Sequence, residues 1–409
     1  MQDRYPHRGH PPPRQPAGAG SGAAADACPG ILDLHEARDG LVARIRLPGG
    51  YASPRRLACL AAMSARFGDG RVDLTARGNV QIRGIRAGAA QDLAWRAAAG
   101  GLLPSSAHDR ARNIIASPLA GLAGRPGLRR LVRALDRAIV ADPGLAALPG
   151  RFLFSLDDGT GRAAVGSCDI GLRRLPGGAD AELIVAGRRT GLRGPDAPMV
   201  TRAIAAARAF VDQRRPAPAS ARVTGLPDGG SPIAAAVGGV LGDQVADTTA
   251  RLPLGPVPDA EPLAVIAAPL ARLTAAQVRL IAGMVRPGEV ARLTAAGRIV
   301  LPLPEAPDAA LQWLAEAGLA VRDDHPLSGV TACAGMTCAS SLADVRSLAA
   351  RVPGLAAVHW AGCGRRCGLP ADATAVVAAS AGQFTLGDGS GVTVTAPGPR
   401  ALTVTTRPA

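Results

Sequence analysis

Four of the seven cysteines in this chain fall into two close pairs, Cys333 with Cys338 and Cys363 with Cys367. Thiolates gathered in this number hold metal. Four-cysteine ligation is the usual binding mode of a [4Fe–4S] cluster. Structural zinc also takes four cysteines, but its pairs are usually tighter, as in C-x2-C. Disulfides need an oxidising compartment, which nothing in the sequence suggests. The cluster is the leading reading, with zinc and disulfides as alternatives. The connection 339–362 reads as a helix followed by a strand: Leu342, Val345 and Leu348 recur at helical spacing, and Val358, His359 and Trp360 read as extended. Helix and strand together can fold the second pair back onto the first. Cys338 is expected to open that helix, where the positive end favours a thiolate.

The other chemistry-bearing residue type is arginine. There is no lysine: all 46 basic residues are arginines against 32 acidic ones, a net charge of +14. Codon bias accounts for the missing lysine, but the physical consequence stands. Guanidinium forks grip carboxylates bidentately and draw anions to the surface. Nucleic acid is not the expected anion, because no basic helix, aromatic-interleaved patch or finger spacing is present. A small polycarboxylate substrate or an acidic redox partner fits better. No apolar run reaches the roughly 18 residues of a membrane span, so no membrane partner is expected. Residues 1–27, rich in proline, glycine and alanine, lack the apolar core of a signal peptide; they read as a disordered tail on a cytoplasmic protein. His7 and His10 lie in that tail and are not expected ligands.

The elements that must position these groups form a repeat. Leu41 to Leu47 alternates like a strand. Ser53 and Pro54 read as N-cap and first residue of a helix to about Phe67. Strands follow at 72–75 and 80–85, then a helix through Leu93 and Trp95. The same βαββα order returns with a strand at Leu263 to Ala267, a helix opened by a Thr274/Gln277 capping box, strands at 290–293 and 298–303, and a helix through Leu311 and Trp313. Leu293 to Leu301 can be laid over Leu74 to Ile82. The first copy then has Arg77 and Gln81 where the second has Ala296 and Val300, so the polar work is expected in copy one. Each copy is followed by an α/β segment. The first carries Arg112, Asn113, a helix at about 128–140 and a strand and turn through 151–159; the second carries the cysteines and a strand and turn through 383–389. The predicted boundaries are a half-domain at 28–105, an α/β domain at 106–224, a crossover at 225–259, a second half-domain at 260–322 and an iron–sulfur α/β domain at 323–409.

These residues together resemble the siroheme sulfite and nitrite reductase superfamily, and within it most closely the precorrin-3B synthases. The marks are Cys28-Pro29-Gly30, the Leu74-to-Gly84 hairpin, Arg112-Asn113, Leu148 to Phe152, Asp169 to Leu172 and the four cysteines. The resemblance implies an α+β fold: a duplicated nitrite/sulfite reductase-like architecture of two ferredoxin-like half-domains and two α/β domains. It implies a [4Fe–4S] cluster on Cys333, Cys338, Cys363 and Cys367. It also implies a tetrapyrrole site between the halves, lined by Arg77, Gln81, Arg112, Asn113 and Arg151, with Arg77 and Arg151 in the catalytic role. The implied reaction is hydroxylation of precorrin-3A at carbon 20 with dioxygen, followed by γ-lactone closure to precorrin-3B. Electrons would come from a donor such as ferredoxin, or NADH through a reductase, and an additional mononuclear iron would activate oxygen. Siroheme belongs to the alternative reading, a sulfite or nitrite reductase. A structural four-cysteine zinc protein is the non-enzyme alternative.

The chain differs from the reductases in two places. Its first pair is C-x4-C, one residue shorter than usual, and Leu153 stands at the second oxyanion-binding lysine position. A small dianion needs convergent positive charge, whereas a tetrapyrrole substrate does not need that cation. Cys28, Cys59 and Cys168 read as buried small side chains. His35, His108 and His325 read as structural. His359, close to Cys363, is the histidine best placed to tune a cluster or aid oxygen chemistry. Arg365 and Arg366 either offset cluster charge or face solvent.

Overall fold

The computed structural model describes residues 28–407 except 123, 215–219, 249–250, 259–262, 295–296, 305–306, 353–356, 381–382, 388–390 and 399–400. The expected tail with His7 and His10, and the Ala296 comparison, lie outside the described residues. The fold is α+β and duplicated, with four sheets in two matching pairs among the described residues.

Each βαββα copy folds as read, with a strand added at either edge of its sheet. The first sheet runs His35–Ala37, Gly40–Ile45, Val80–Ile85, Arg71–Leu74 and then Arg272–Thr274, a strand from the second copy. The second runs Gly255–Pro256, Leu263–Ala267, Arg298–Pro302, Ala291–Leu293 and then Tyr51–Ala52, a strand from the first. The copies thus exchange edge strands, and each covers an edge that would otherwise be left unpaired. Arg272 pairs in register with Asp73, and Tyr51 with Arg292.

The helices begin where the caps dictate. The Ser53 hydroxyl accepts from the Arg56 amide at 3.4 Å, and Pro54 opens helix Pro54–Phe67. Thr274 and Gln277 close a capping box at 3.2 Å and 2.8 Å, opening helix Ala275–Met284. The two helices pack against each other, and one apolar core joins Leu57, Leu60 and Ile82 of the first copy to Val278, Ile281 and Leu301 of the second.

The α/β segments match as well. In the first, Ile114–Ala116, Phe154–Asp157 and Ile170–Arg174 are parallel, with Ala181–Val185 added antiparallel. In the second, Val330–Ala332, Val358–Ala361 and Thr374–Ser380 are parallel, with Gln383–Leu386 antiparallel. Each first crossover carries a helix, Arg129–Ala141 in one and Val345–Arg351 in the other.

The second of these helices corrects an expectation. It does not begin at Cys338 but after Asp344, whose carboxylate accepts from the Ser347 amide at 3.3 Å. Cys338 ends the short 3-10 turn Gly335–Thr337 instead. Leu342 donates its amide to the Gly362 carbonyl and its side chain is exposed, so it is not on a buried helical face. A cap with an acceptor side chain outweighed apolar spacing that begins too early.

Candidate functional site

Both cysteine pairs leave the carboxyl ends of two neighbouring parallel strands, Val330–Ala332 and Val358–Ala361. Open α/β sheets place ligand sites at such strand ends. Cys333 donates its amide to the Trp360 carbonyl at 2.9 Å. Its sulfur accepts from the amides of Gly362 at 3.2 Å and Gly335 at 3.4 Å. Cys333, Cys338 and Cys363 are half-buried, Cys367 is exposed, and all are free thiols. Burial pushes the Cys367 thiol up, and the nearby Cys363, Cys333 and Cys338 push it further. The sulfurs of Cys363, Cys333 and Cys338 therefore lie within electrostatic reach of Cys367, and a cationic metal centre would relieve that repulsion.

Among the described residues, no group of three or more His, Cys, Asp or Glu could hold a metal ion. Zinc, at about 2.3 Å from each sulfur, would need the four drawn tightly together. A cube of iron and sulfide joins its ligands at wider separation, and backbone amides donating to a ligand sulfur suit it. The donor set fits a cluster better than a single ion.

His359 is buried, its Nδ1 2.9 Å from the Thr331 hydroxyl and its ring against the Cys367–Gly368 backbone. Burial pulls its pKa down to about 4, so it is neutral near pH 7. Arg365 and Arg366 face solvent.

The first α/β segment carries no thiol at the matching strand end. Ser117 follows Ile114–Ala116 as Cys333 follows Val330–Ala332. The Ser117 hydroxyl donates to Asp157 Oδ2 at 2.9 Å, and Asp157 also accepts from the amides of Gly159 at 2.8 Å and Gly161 at 3.0 Å. That loop closes around a buried carboxylate.

An arginine cluster lies where the first half-unit meets the first α/β segment. Arg44 and Arg46, two residues apart on Gly40–Ile45 and just after it, point to one side of the sheet. Arg44 is the register partner of Gln81. With the Gln81 amide oriented to satisfy both, its oxygen accepts from Arg44 at 2.7 Å and 3.1 Å. Cys28 is buried between the two arginines, its sulfur 2.7 Å from Arg44 Nη1 and 3.3 Å from Arg46 Nη2. Arg46 is buried, and its Nε has no partner. Arg77 donates to the Arg151 carbonyl at 3.2 Å. Burial and then the charges of Arg222, Arg46 and Arg44 lower the Arg77 pKa to about 10. Cys28 acts in the other direction. A guanidinium so placed is short of an anion, which a carboxylate ligand would supply.

Of the residues expected here, the structure gathers Arg77, Gln81 and Arg151. Arg112 is 1% exposed and gripped bidentately by Asp136 at 2.7 Å and 2.9 Å, so its fork is already satisfied. Asn113 is buried, accepting from Asn79 at 2.8 Å and Arg46 at 3.3 Å and donating to the Phe152 carbonyl at 2.9 Å. It braces the site from behind. Arg44, Arg46, Cys28 and Arg222 were not anticipated. The alternation of Arg44 and Arg46 opposite Gln81 was the available signal; Arg222, held by the Asp169 carboxylate, had none. Leu153 is buried with Ile115, Val165 and Cys168, so no cation faces the site from that position.

Residues 35–99 match the nitrite/sulfite reductase ferredoxin-like half domain. Ferredoxin–nitrite reductase of Leptolyngbya laminosa is 35% identical over 117 residues, 27% of this chain and 23% of that protein. Precorrin-3B synthase of a Sinorhizobium species is 35% identical over 78 residues, 19% of this chain and 17% of that protein. Ferredoxin–nitrite reductase of Synechococcus elongatus is 32% identical over 126 residues, 29% and 25% of the two chains. The matched stretches thus span about a quarter or less of these relatives. The structure of Mycobacterium tuberculosis NirA protein superposes with a TM-score of 0.68 at 20% identity, covering 90% of this chain and 73% of that one. In this half domain, in these relatives and in the shared fold, the chain is similar to the nitrite/sulfite reductase superfamily.

Proposed function

We propose that the protein is an oxygen-dependent monooxygenase that converts precorrin-3A to precorrin-3B. One observation carries the reading: the charges of Arg222, Arg46 and Arg44 converge on the buried Arg77, and the main opposing influence is the Cys28 thiol rather than a carboxylate. A tetrapyrrole bearing acetates and propionates would supply the missing carboxylates, and arginine forks would fix its orientation. The apolar burial of Leu153 favours this over reduction of a small oxyanion. Cys333, Cys338, Cys363 and Cys367 would hold a [4Fe–4S] cluster, which when bound relays single electrons from a donor of ferredoxin type. In the overall reaction one oxygen atom of dioxygen goes to carbon 20 and the other leaves as water, taking two electrons and two protons. The described residues offer no donor set for a separate mononuclear iron, and no residue is assigned to one.

A siroheme-dependent nitrite or sulfite reductase is the second reading, favoured by the two ferredoxin–nitrite reductases among the relatives. Aerobic incubation of the iron-loaded protein with precorrin-3A and a reductant separates the two. A hydroxylactone product supports the proposal. Absence of product, together with a bound siroheme spectrum and consumption of nitrite or sulfite, overturns it in favour of the second. Zinc without acid-labile sulfide would overturn both.

A further inference from the structure

Three parts of the molecule meet at one carboxylate. Asp73, on Arg71–Leu74 of the first half-unit, faces Arg272 of the second, which grips it with Nε and with Nη2 at 2.9 Å. Arg346, on helix Val345–Arg351 of the cysteine-bearing segment, reaches the same carboxylate with Nη2 at 3.4 Å. Its other contacts are neutral and long: the Leu270 carbonyl at 3.5 Å and the Ala332 carbonyl at 3.4 Å. Its Nε is buried without a partner.

Arg346 lies directly under the first cysteine pair. Ala332, whose carbonyl it contacts, precedes Cys333 in the chain. Gly335, whose amide donates to the Cys333 sulfur, sits so close that a Cβ there would stand 3.7 Å from Arg346 Cγ. The Cys333 sulfur and the Arg346 guanidinium are electrostatically coupled. Asp73 is shared by two guanidiniums; Arg272, which also lies 3.9 Å from Asp69, holds the greater share of it. Arg346, with only its 3.4 Å contact to Asp73, is the less compensated cation, and it lies under the cysteine loop.

We propose that Arg346 is a positioning residue for the four-cysteine centre: its buried guanidinium raises the reduction potential of the bound cluster, and Asp73 moderates that charge. The inference rests on the reading that the four cysteines hold an iron–sulfur cluster. Reduction adds one negative charge to such a cluster, and a fixed cation nearby favours the reduced form. The Arg346 side chain is 16% exposed, so solvent weakens the effect without removing it. Arg346 also links the centre to the seam between the two half-units.

The test is a redox titration of the anaerobically purified holoprotein, followed by electron paramagnetic resonance, with iron and sulfide counted for each variant. Arg346→Met is expected to lower the midpoint potential, Asp73→Asn to raise it, and Arg346→Lys to leave it near the parent value. Both Arg346→Met and Asp73→Asn break the same ion pair, so a merely structural role predicts shifts of one sign or none. Shifts of the same sign, or no shift in either, overturn the proposal. Should Arg346→Met fail to retain iron and sulfide, Asp73→Asn decides: a raised potential supports the inference, and an unchanged or lowered one overturns it. A parent protein with zinc and no sulfide overturns the cluster reading beneath it, which is a different result from a cluster that does not shift.

Discussion

Arg292 lies over the ring of Tyr51, its guanidinium carbon 5.5 Å from the ring centroid, at the strand pairing that mirrors Arg272 with Asp73. The duplicated seam thus carries a cation–π contact on one side and an ion pair on the other. Arg292 also donates to the carbonyls of Pro118 at 2.7 Å and Ala120 at 2.8 Å. Arg292→Met should leave both carbonyls without that donor and destabilise the protein by about 2 kcal/mol or more. Urea unfolding monitored by circular dichroism measures it.

Asp73 gives the other side of the seam a pH dependence. Burial alone would raise its pKa, but the Arg272 hydrogen bonds and the charges of Arg346 and Arg272 outweigh burial and hold it below the ordinary value. A depressed carboxylate contributes stability above its unfolded pKa of about 3.9, and that stability disappears as pH falls through the lower folded value. The parent should therefore lose stability more steeply below about pH 4 than Asp73→Asn does. Melting temperatures from pH 7 down to acid compare the two; identical slopes would remove Asp73 from the account.

The turn before each exchanged strand is built twice from different residues. Gly49 and Gly50 have φ of 68° and 71°, and their counterparts Leu270 and Ala271 both have φ of 55°. A Cβ on Gly50 would stand 2.1 Å from the Leu293 carbonyl oxygen. Gly50→Ala should cost about 3 kcal/mol. Ala271→Gly should relieve left-handed strain and stabilise by about 1 kcal/mol. Thermal unfolding of the two variants should move in opposite directions.

The Arg77 side chain donates to the Arg151 carbonyl, and the residue's other hydrogen bonds are made by its backbone, so truncating the side chain should spare the fold. Arg77→Ala should weaken binding of a polycarboxylate porphyrin by roughly 10- to 100-fold, as expected for a lost charge-assisted contact. Fluorescence titration reads the affinity, and the parent's affinity should fall with added salt. Unchanged affinity would exclude Arg77 from the site.

The seven cysteines divide into two groups by environment. Cys28, Cys59 and Cys168 are buried, burial pushing the thiols of Cys59 and Cys168 up, while the four loop cysteines are part-exposed or exposed. Serine at Cys333, Cys338, Cys363 or Cys367 should abolish iron and sulfide retention. Alanine at Cys59 or Cys168 should leave both counts at the parent level, apart from a stability loss of about 1–2 kcal/mol. Iron and acid-labile sulfide assays decide.

The repeat, its strands and its helix starts were legible because their causes are local. Ser53 and Thr274 cap the helices they precede, and the matching apolar frame of Leu74 to Ile82 and Leu293 to Leu301 declares a duplicated sheet. The cysteine spacing likewise announced a possible centre without any coordinates. One local signal misled: Leu342 carried helical spacing, but Asp344 set the start of the helix.

The strand exchange was not legible, since nothing in Tyr51–Ala52 or Arg272–Thr274 says which distant edge each will join. Pairing across such separations is chosen by the burial of a shared core, which belongs to no single segment. The arginine cluster is of the same kind. Alternation put Arg44 and Arg46 on one face, but only the packing of that face against Cys28, Arg77 and Arg222 decided that four guanidiniums would share one small volume.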